Sequence, residues 1–287
     1  MAIDRDRLLA WPFEPVEQRY DERDTILYAL GLGLGAEPTD PRQLRFVYEK
    51  ELQALPSMGV ILGHPGFWLS DPRTGADWRR LVHGEQSLEI LKPLPASGTV
   101  IGLTRVLDVI DKGEKGALVF SQRELRDKAS GDLLCRLAAT TVLRADGGFG
   151  GPSGPVPAPH PIPARPADES CALPTLPQAA LIYRLSGDRN PLHVDPALAE
   201  KAGFPRPILH GLCTFGIAGH ALLRMVCDYE PRRLISLQGR FTAPVFPGET
   251  ITVDLWRDGD VVSFEARVKD RQATVIKNGK TVLGAGS

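Results

Sequence analysis

The residues best equipped for chemistry fall in one short stretch, Ser186-Gly187-Asp188-Arg189-Asn190-Pro191-Leu192-His193-Val194-Asp195. Gly187 and the fixed dihedral of Pro191 predict a turning loop. A carboxylate and an imidazole five residues apart need not be neighbours on a regular helix or strand, but on a loop Asp188 and His193 can converge on one point. Such a pair can move protons, with Asn190 available to orient a carboxylate or a water. Pro207-Ile208-Leu209-His210-Gly211-Leu212 follows, at the start of an apolar helical stretch. The first N–H groups of a helix lack internal partners and carry partial positive charge. Gly211 has no side chain to block approach, so its N–H suits a developing oxyanion. An acid/base pair beside an oxyanion donor is what chemistry next to a carbonyl requires.

Plainer uses of these residues compete. Asp188 and Asn190 are also good capping groups for a turn or a helix start. His193, Asp195 and His210 are possible metal ligands, yet no further ligand spacing supports a site, and Asp195 before Pro196 reads better as a helix N-cap. No metal is expected. Cys213, near a helix start, reads as a small core residue rather than a reactive thiol. The run Gly31 to Gly35 lacks the lysine and the strand–helix setting of a phosphate loop. His83-Gly84 copies the look of His210-Gly211 with nothing catalytic before it, and reads as a vestige.

The elements that must position these groups come in two similar sets. Residues 146–176 are dense in Pro and Gly, with alternating prolines from Pro155 to Pro163, and read as a linker in extended polyproline geometry. Before it lie an apolar helical stretch near Thr25 to Gly33, a Pro/Gly-rich passage from Pro56 to Gly66, and strand-like runs at His83–Leu91, Gly98–Ile110, Gly116–Leu125 and Leu133–Leu143. After it lie helices at Pro177–Leu185, Pro196–Ala202 and Gly211 to about Cys227. Further runs follow at Leu234–Phe241, Thr250–Trp256, Val261–Val268 and Gln272–Lys277, with hairpin signals at Asp258-Gly259 and Asn278-Gly279. Helices first and an antiparallel sheet afterwards, twice over, predict an α+β duplication. The helix from Gly211 is apolar around most of its circumference, which predicts burial, and its Gly216 and Gly219 suggest close approach of another backbone.

Composition narrows the classes. Lys plus Arg is 34 and Asp plus Glu 35, so the net charge is 34 − 35 = −1, which argues against a nucleic-acid binder. The chain is 43% hydrophobic and 24% charged with mean hydropathy −0.12, as expected of an ordinary globular protein. Cys135, Cys171, Cys213 and Cys227 form no CxxC pair and no disulfide framework. No apolar run reaches the roughly 20 residues of a membrane span. Residues 1–7 show no signal core, and residues 284–287 spell no lipidation motif or peroxisomal address. Cytoplasm is the expected location, with no membrane and no nucleic-acid partner.

The run YRLSGDRNPLHVDP, from Tyr183 to Pro196, followed by HGL at His210 to Leu212, resembles the signature of the MaoC-like dehydratases, also called (R)-specific or type 2 enoyl-CoA hydratases. The resemblance implies that Asp188 and His193 activate water together, that Asn190 is the motif's asparagine, and that Gly211 is the oxyanion glycine. DTILYALGLG, from Asp24 to Gly33, and LVHGEQ, from Leu81 to Gln86, look like the degenerate N-terminal repeat of two-repeat members that act on longer acyl chains. It implies a double hot-dog fold. Residues 1–145 would form an acyl-tail-binding repeat without its own D-x-N-P-x-H, and residues 177–287 a catalytic repeat. A shortened central helix in the first repeat would open room for the tail, and the Gly/Ala-rich stretch Ala29 to Ala36 is compatible with such space. The expected reaction is reversible hydration of trans-2-enoyl-CoA to (R)-3-hydroxyacyl-CoA, on medium, long or bulky chains, with no cofactor beyond the acyl-CoA substrate. Lys201, Arg206, Arg240 and His210 are the candidate substrate-binding residues, and a homodimer is expected. Alternatives are a dehydratase on branched or sterol-derived chains, a catalytically silent acyl-CoA-binding protein, or an acyl-CoA thioesterase.

Overall fold

Strands whose side chains alternate between apolar and polar bury one face, and here ten of them share the task. The computed structural model describes residues 3–285, so the end of the C-terminal segment read for an address lies outside the described residues. The strands are β1 (Val16–Tyr20), β2 (Leu81–Ile90), β3 (Gly98–Asp111), β4 (Ala117–Asp127), β5 (Leu133–Leu143), β6 (Glu169–Pro174), β7 (Leu234–Phe241), β8 (Thr250–Asp258), β9 (Val261–Val268) and β10 (Ala273–Leu283). They form one sheet in the order β1-β3-β4-β5-β2-β7-β10-β9-β8-β6. Traced inward from its two ends, the sheet follows the same path twice, 1-3-4-5-2 and 6-8-9-10-7. The halves meet where β2 pairs antiparallel with β7, Gln86 opposite Gly239 and Leu88 opposite Leu237. This is the expected double hot-dog.

Among the described residues six α-helices accompany the sheet: α1 (Arg5–Leu9), α2 (Glu22–Gly31), α3 (Pro41–Leu44), α4 (Ala179–Tyr183), α5 (Pro196–Lys201) and α6 (Gly211–Val226). Helix α2 starts earlier than its apolar stretch because Asp21 and Asp24 cap each other's backbone N–H reciprocally. Helix α6 is buried from Cys213 to Leu223 and packs on β6, β7, β8 and the turn Pro56–Val60. One apolar core runs through both halves, joining Leu55 and Met58 to Phe215, Leu222 and Phe264. Gly216 and Gly219 do not admit another backbone, as their spacing suggested. Their faces meet side chains instead, Leu32 and Tyr28 at the first and Leu237 at the second.

By position before β2, the first-half counterpart of α6 is the single tight turn Pro56–Val60. The shortening therefore lies there and not at Ala29 to Ala36, where Leu32 and Leu34 are buried in the core. His83-Gly84 is likewise no relic of His210-Gly211, because it sits in β2, the counterpart of β7 rather than of a helix start. Asn278-Gly279 makes no hairpin. Asn278 takes a positive φ of 55° inside β10 and the register against β7 shifts between Lys277 and Lys280, a bulge within a continuing strand.

The stretch read as linker ends sooner than expected, because Glu169–Pro174 pairs with β8 as an edge strand. The part before it is pinned across the outer face of the sheet. Asp111 accepts from the N–H groups of Gly148 and Gly150, each at 2.8 Å. Asn278 Nδ2 donates to the His160 carbonyl at 2.8 Å, tying the far end to the second half. Prolines offer no ladder donors, so the segment lies over the sheet instead of joining it.

Two close contacts fix the inner geometry. Gly63 crosses β3 at Gly102 so tightly that a Cβ on Gly102 would fall 2.0 Å from the Gly63 carbonyl oxygen. His220 of α6 donates from Nδ1 to the Leu32 carbonyl at 3.0 Å, joining the two halves. We expect Gly102→Ala to lower stability by about 1–3 kcal/mol or more, as forced overpacking does, measured by denaturant unfolding. Burial pushes the His83, His210 and His220 imidazoles down to about 4 each. Their folded values lie below the unfolded value of 6.5, so their contribution is complete above pH 6.5 and is lost as pH falls towards 4. Thermal unfolding across that window should show a falling Tm, less steep in a His220→Asn variant.

Candidate active site

The site is built where the loop after α4 meets the head of α6. Helix α4 passes into a tight turn at Arg184–Ser186, and Gly187 then takes a positive φ of 122°. The Asp188 carboxylate accepts from the Asn190 N–H at 3.0 Å, and the Asn190 side-chain oxygen in turn accepts from the Leu192 N–H at 3.0 Å. That second bond caps the turn Pro191–His193, so the Asn190 oxygen shapes the loop. His193 is 8% exposed and His210 1%.

Both imidazoles are fixed by backbone carbonyls, which can only accept. His193 Nδ1 therefore donates to the Ile208 carbonyl at 2.8 Å, leaving Nε2 with a free lone pair. His210 Nε2 donates to the Asp188 carbonyl at 3.1 Å, and its ring stacks on His193 with centroids 3.7 Å apart. Carboxylate oxygen and ring nitrogens of Asp188, His193 and His210 lie within 4.8 Å of one another. Asp188 and His193 thus face one small space. The planes of the two imidazoles stand at an angle of 28°.

Burial lowers the His193 pKa below its ordinary 6.5, while the Ile208 bond and the Asp188 charge pull it partly back. Near neutral pH the ring is an uncharged base. For His210, burial and then the adjacent His193 push the value down to about 4.

The head of α6 completes the site. His210 is its N-cap residue yet makes no side-chain capping bond, so the first N–H groups stay free of a side-chain acceptor. By contrast Asp21 and Asp195 cap α2 and α5. A Cβ on Gly211 would sit 3.6 Å from the Phe241 ring, an ordinary contact, so the protein itself leaves room for a methyl there.

The remaining sequence-derived residues are distributed differently. Arg240 is corrected. It points to the outer face of β7, where it pairs with Glu85 at 2.7 Å beneath the polyproline segment, because strand alternation sends Gly239 and Phe241 to the other side. His210, expected on substrate, holds the loop that carries Asp188. Arg206 donates to the Pro247 carbonyl at 3.1 Å and lies over the Phe246 ring, while Lys201 ends α5 in solvent. The residues missed were Tyr183, whose ring packs on His210 at 5.0 Å, and the first-half His83, whose ring lies 4.9 Å from Phe241. Tyr183 opens the signature run and was legible there. His83 comes from a strand more than a hundred positions away, which no local pattern reports.

Residues 18–145 match the family described as the MFE-2 hydratase 2 N-terminal domain, and residues 160–279 the MaoC like domain. The chain belongs to the MaoC-like hydratase 2 family. It is 38% identical to enoyl-CoA hydratase 2, peroxisomal, of Arabidopsis thaliana over 98% of this chain and 96% of that one. It is 43% identical to 3-hydroxyacyl-thioester dehydratase Y of Mycobacterium tuberculosis over 90% and 88%. The solved MaoC-like dehydratase from Phytophthora capsici superposes with a TM-score of 0.86 at 36% identity, covering 98% of this chain and 99% of that one.

Gly211→Ala tests the helix head directly. The variant should keep its Tm within a few degrees of the parent. It should lose about 10²–10³-fold in turnover, as when an oxyanion donor is removed, because the methyl occupies the approach to the N–H. Unchanged turnover would place the oxyanion elsewhere.

Proposed function

We propose that this protein adds water reversibly to trans-2-enoyl-CoA thioesters to give (R)-3-hydroxyacyl-CoA. The observation that carries the reading is the convergence of the Asp188 carboxylate and the His193 imidazole, whose Nε2 is left free, beside the uncapped head of α6. The names borne by its relatives support the same reaction class.

In this reading the thioester carbonyl accepts from the Gly211 N–H. A water donates one hydrogen bond to Asp188 and one to His193 Nε2. As its oxygen bonds the β-carbon, one water proton passes to Nε2 and negative charge builds on the thioester oxygen, where the helix head meets it. The imidazolium formed beside Asp188 then returns a proton to the α-carbon on the same face, and the site is regenerated. Burial of His193 keeps the ring a base at rest and a willing donor once charged. No step requires a metal or an organic cofactor.

The reverse direction, dehydration of a 3-hydroxyacyl thioester, uses the same groups and accords with the name of the mycobacterial relative. For the phosphates of coenzyme A we propose Lys201 and Arg206. The cysteines described are free and buried, which suits a reducing compartment, and we propose the cytoplasm. No described helix is long and apolar enough to cross a membrane. The open edges β1 and β6 are where we propose that a second copy could pair to form a homodimer.

Asp188→Asn and His193→Ala should fold like the parent. Each should lower hydration of crotonyl- and longer enoyl-CoAs by about 10²–10⁴-fold, followed by loss of the enoyl thioester absorbance. Parent-like turnover in either would overturn the assignment. Because the base form of His193 is the active one and its pKa is lowered, kcat/KM should hold as pH falls to 6.5 and decline only below it.

A further inference from the structure

One buried charge takes no part in the site described above. Arg123, 8% exposed, lies in β4 on the same face as the buried Val119 and Leu125. Its neighbours Gln122 and Glu124 face outward, to Arg105 and Arg126. The guanidinium donates through Nη2 to the carbonyls of Val60 at 2.7 Å and Gly59 at 3.4 Å, at the end of the shortened turn. Its Nε is buried without a partner. Among the described residues no carboxylate pairs with it, and burial pushes its pKa down to about 10. Arginine is almost never buried unpaired, because desolvating a charge without a counter-charge is costly.

A second unpaired group lies directly beside it. Thr104 of β3 is the cross-strand partner of Arg123, and its hydroxyl is also buried without a hydrogen bond. His64 follows from the loop that Gly63 anchors on β3. Its Nδ1 accepts from the Gly66 N–H at 3.1 Å, which leaves Nε2–H as a free donor. Although this ring keeps solvent access, the protein crowded around it desolvates the charged form. Arg123 repels a proton there and Asp188 attracts one. Polar groups with unused donors therefore lead from the neighbourhood of the catalytic carboxylate into the first half, where an alkyl tail alone would find no use for them.

We propose that the acyl chain hydrated here carries a carboxylate at the end remote from the thioester, received by Arg123 and Thr104. This rests on the enoyl-CoA hydratase reading and names its substrate class. The opposing possibility is that Arg123 serves only to cap the carbonyls left by the shortened helix.

The test compares trans-2-enoyl-CoAs of equal chain length ending in a methyl or a carboxylate, across a series of lengths. The parent should favour the carboxylate series at one or more lengths by about ten- to a hundred-fold in kcat/KM, the value of a charge-assisted pairing. Arg123→Met should abolish that preference while keeping turnover of methyl-ended chains within about threefold, and Arg123→Lys should retain part of it. Thr104→Val, the milder change should Arg123→Met not fold, should reduce the preference several-fold. A parent that favours methyl-ended chains at every length overturns the inference and leaves the hydratase reading intact. So does a preference indifferent to both Arg123→Lys and Thr104→Val. Failure to hydrate either series defeats both.

Discussion

The candidate site depends on two reciprocal hydrogen bonds that tie the Asp188–His193 loop to the segment heading the buried helix, His193 Nδ1 to the Ile208 carbonyl and His210 Nε2 to the Asp188 carbonyl. His210 heads the buried helix, and its Nε2–H holds the backbone carbonyl of Asp188 while its ring supports that of His193. A loop residue and a helix cap are thereby made one body. The helix is held because its apolar surface is enclosed by both halves of the core, and the loop is tied to it through both imidazoles. Proton transfer at a positioned water tolerates little slack, and the buried His210 supplies that positioning in the reaction proposed.

Burial then sets the protonation of the pair. Taking His193 out of water disfavours its charged form, and fixing Nδ1 on a carbonyl assigns the free lone pair to Nε2. The Asp188 charge moderates the shift without cancelling it. The same desolvation that tunes the base costs stability in acid, since several imidazoles held neutral in the fold take up protons readily once unfolded.

Duplication explains why a chain of this size offers a single D-x-N-P-x-H. Each half repeats one strand path, but only the second kept a full helix across its sheet. The first retained a turn at Pro56–Val60, and the carbonyls at its end, which a continuing helix would have paired, are met by Arg123 instead. The loop from Gly63 to the start of β2 occupies ground that has no second-half equivalent. Asymmetry between the halves thus leaves the Asp188–His193 loop and the full helix to the second half alone.

The sequence by itself determined the local features. Loop chemistry at Gly187 and Pro191, the head of an all-apolar helix at Gly211 and the alternating strands are encoded in neighbouring residues, because turns, caps and periodicity arise within a few positions. The signature run located Asp188 and His193 for the same reason. Tertiary structure decided everything that depends on which way a side chain faces and what lies opposite. Strand register turned Arg240 to the outer face and Arg123 to the inner one, topology showed that His83 was no copy of His210, and β-pairing recovered Glu169–Pro174 from an apparent linker. Those outcomes rest on contacts between residues distant in the chain, and a one-residue difference in register reverses a face. No local pattern in the sequence carries that information.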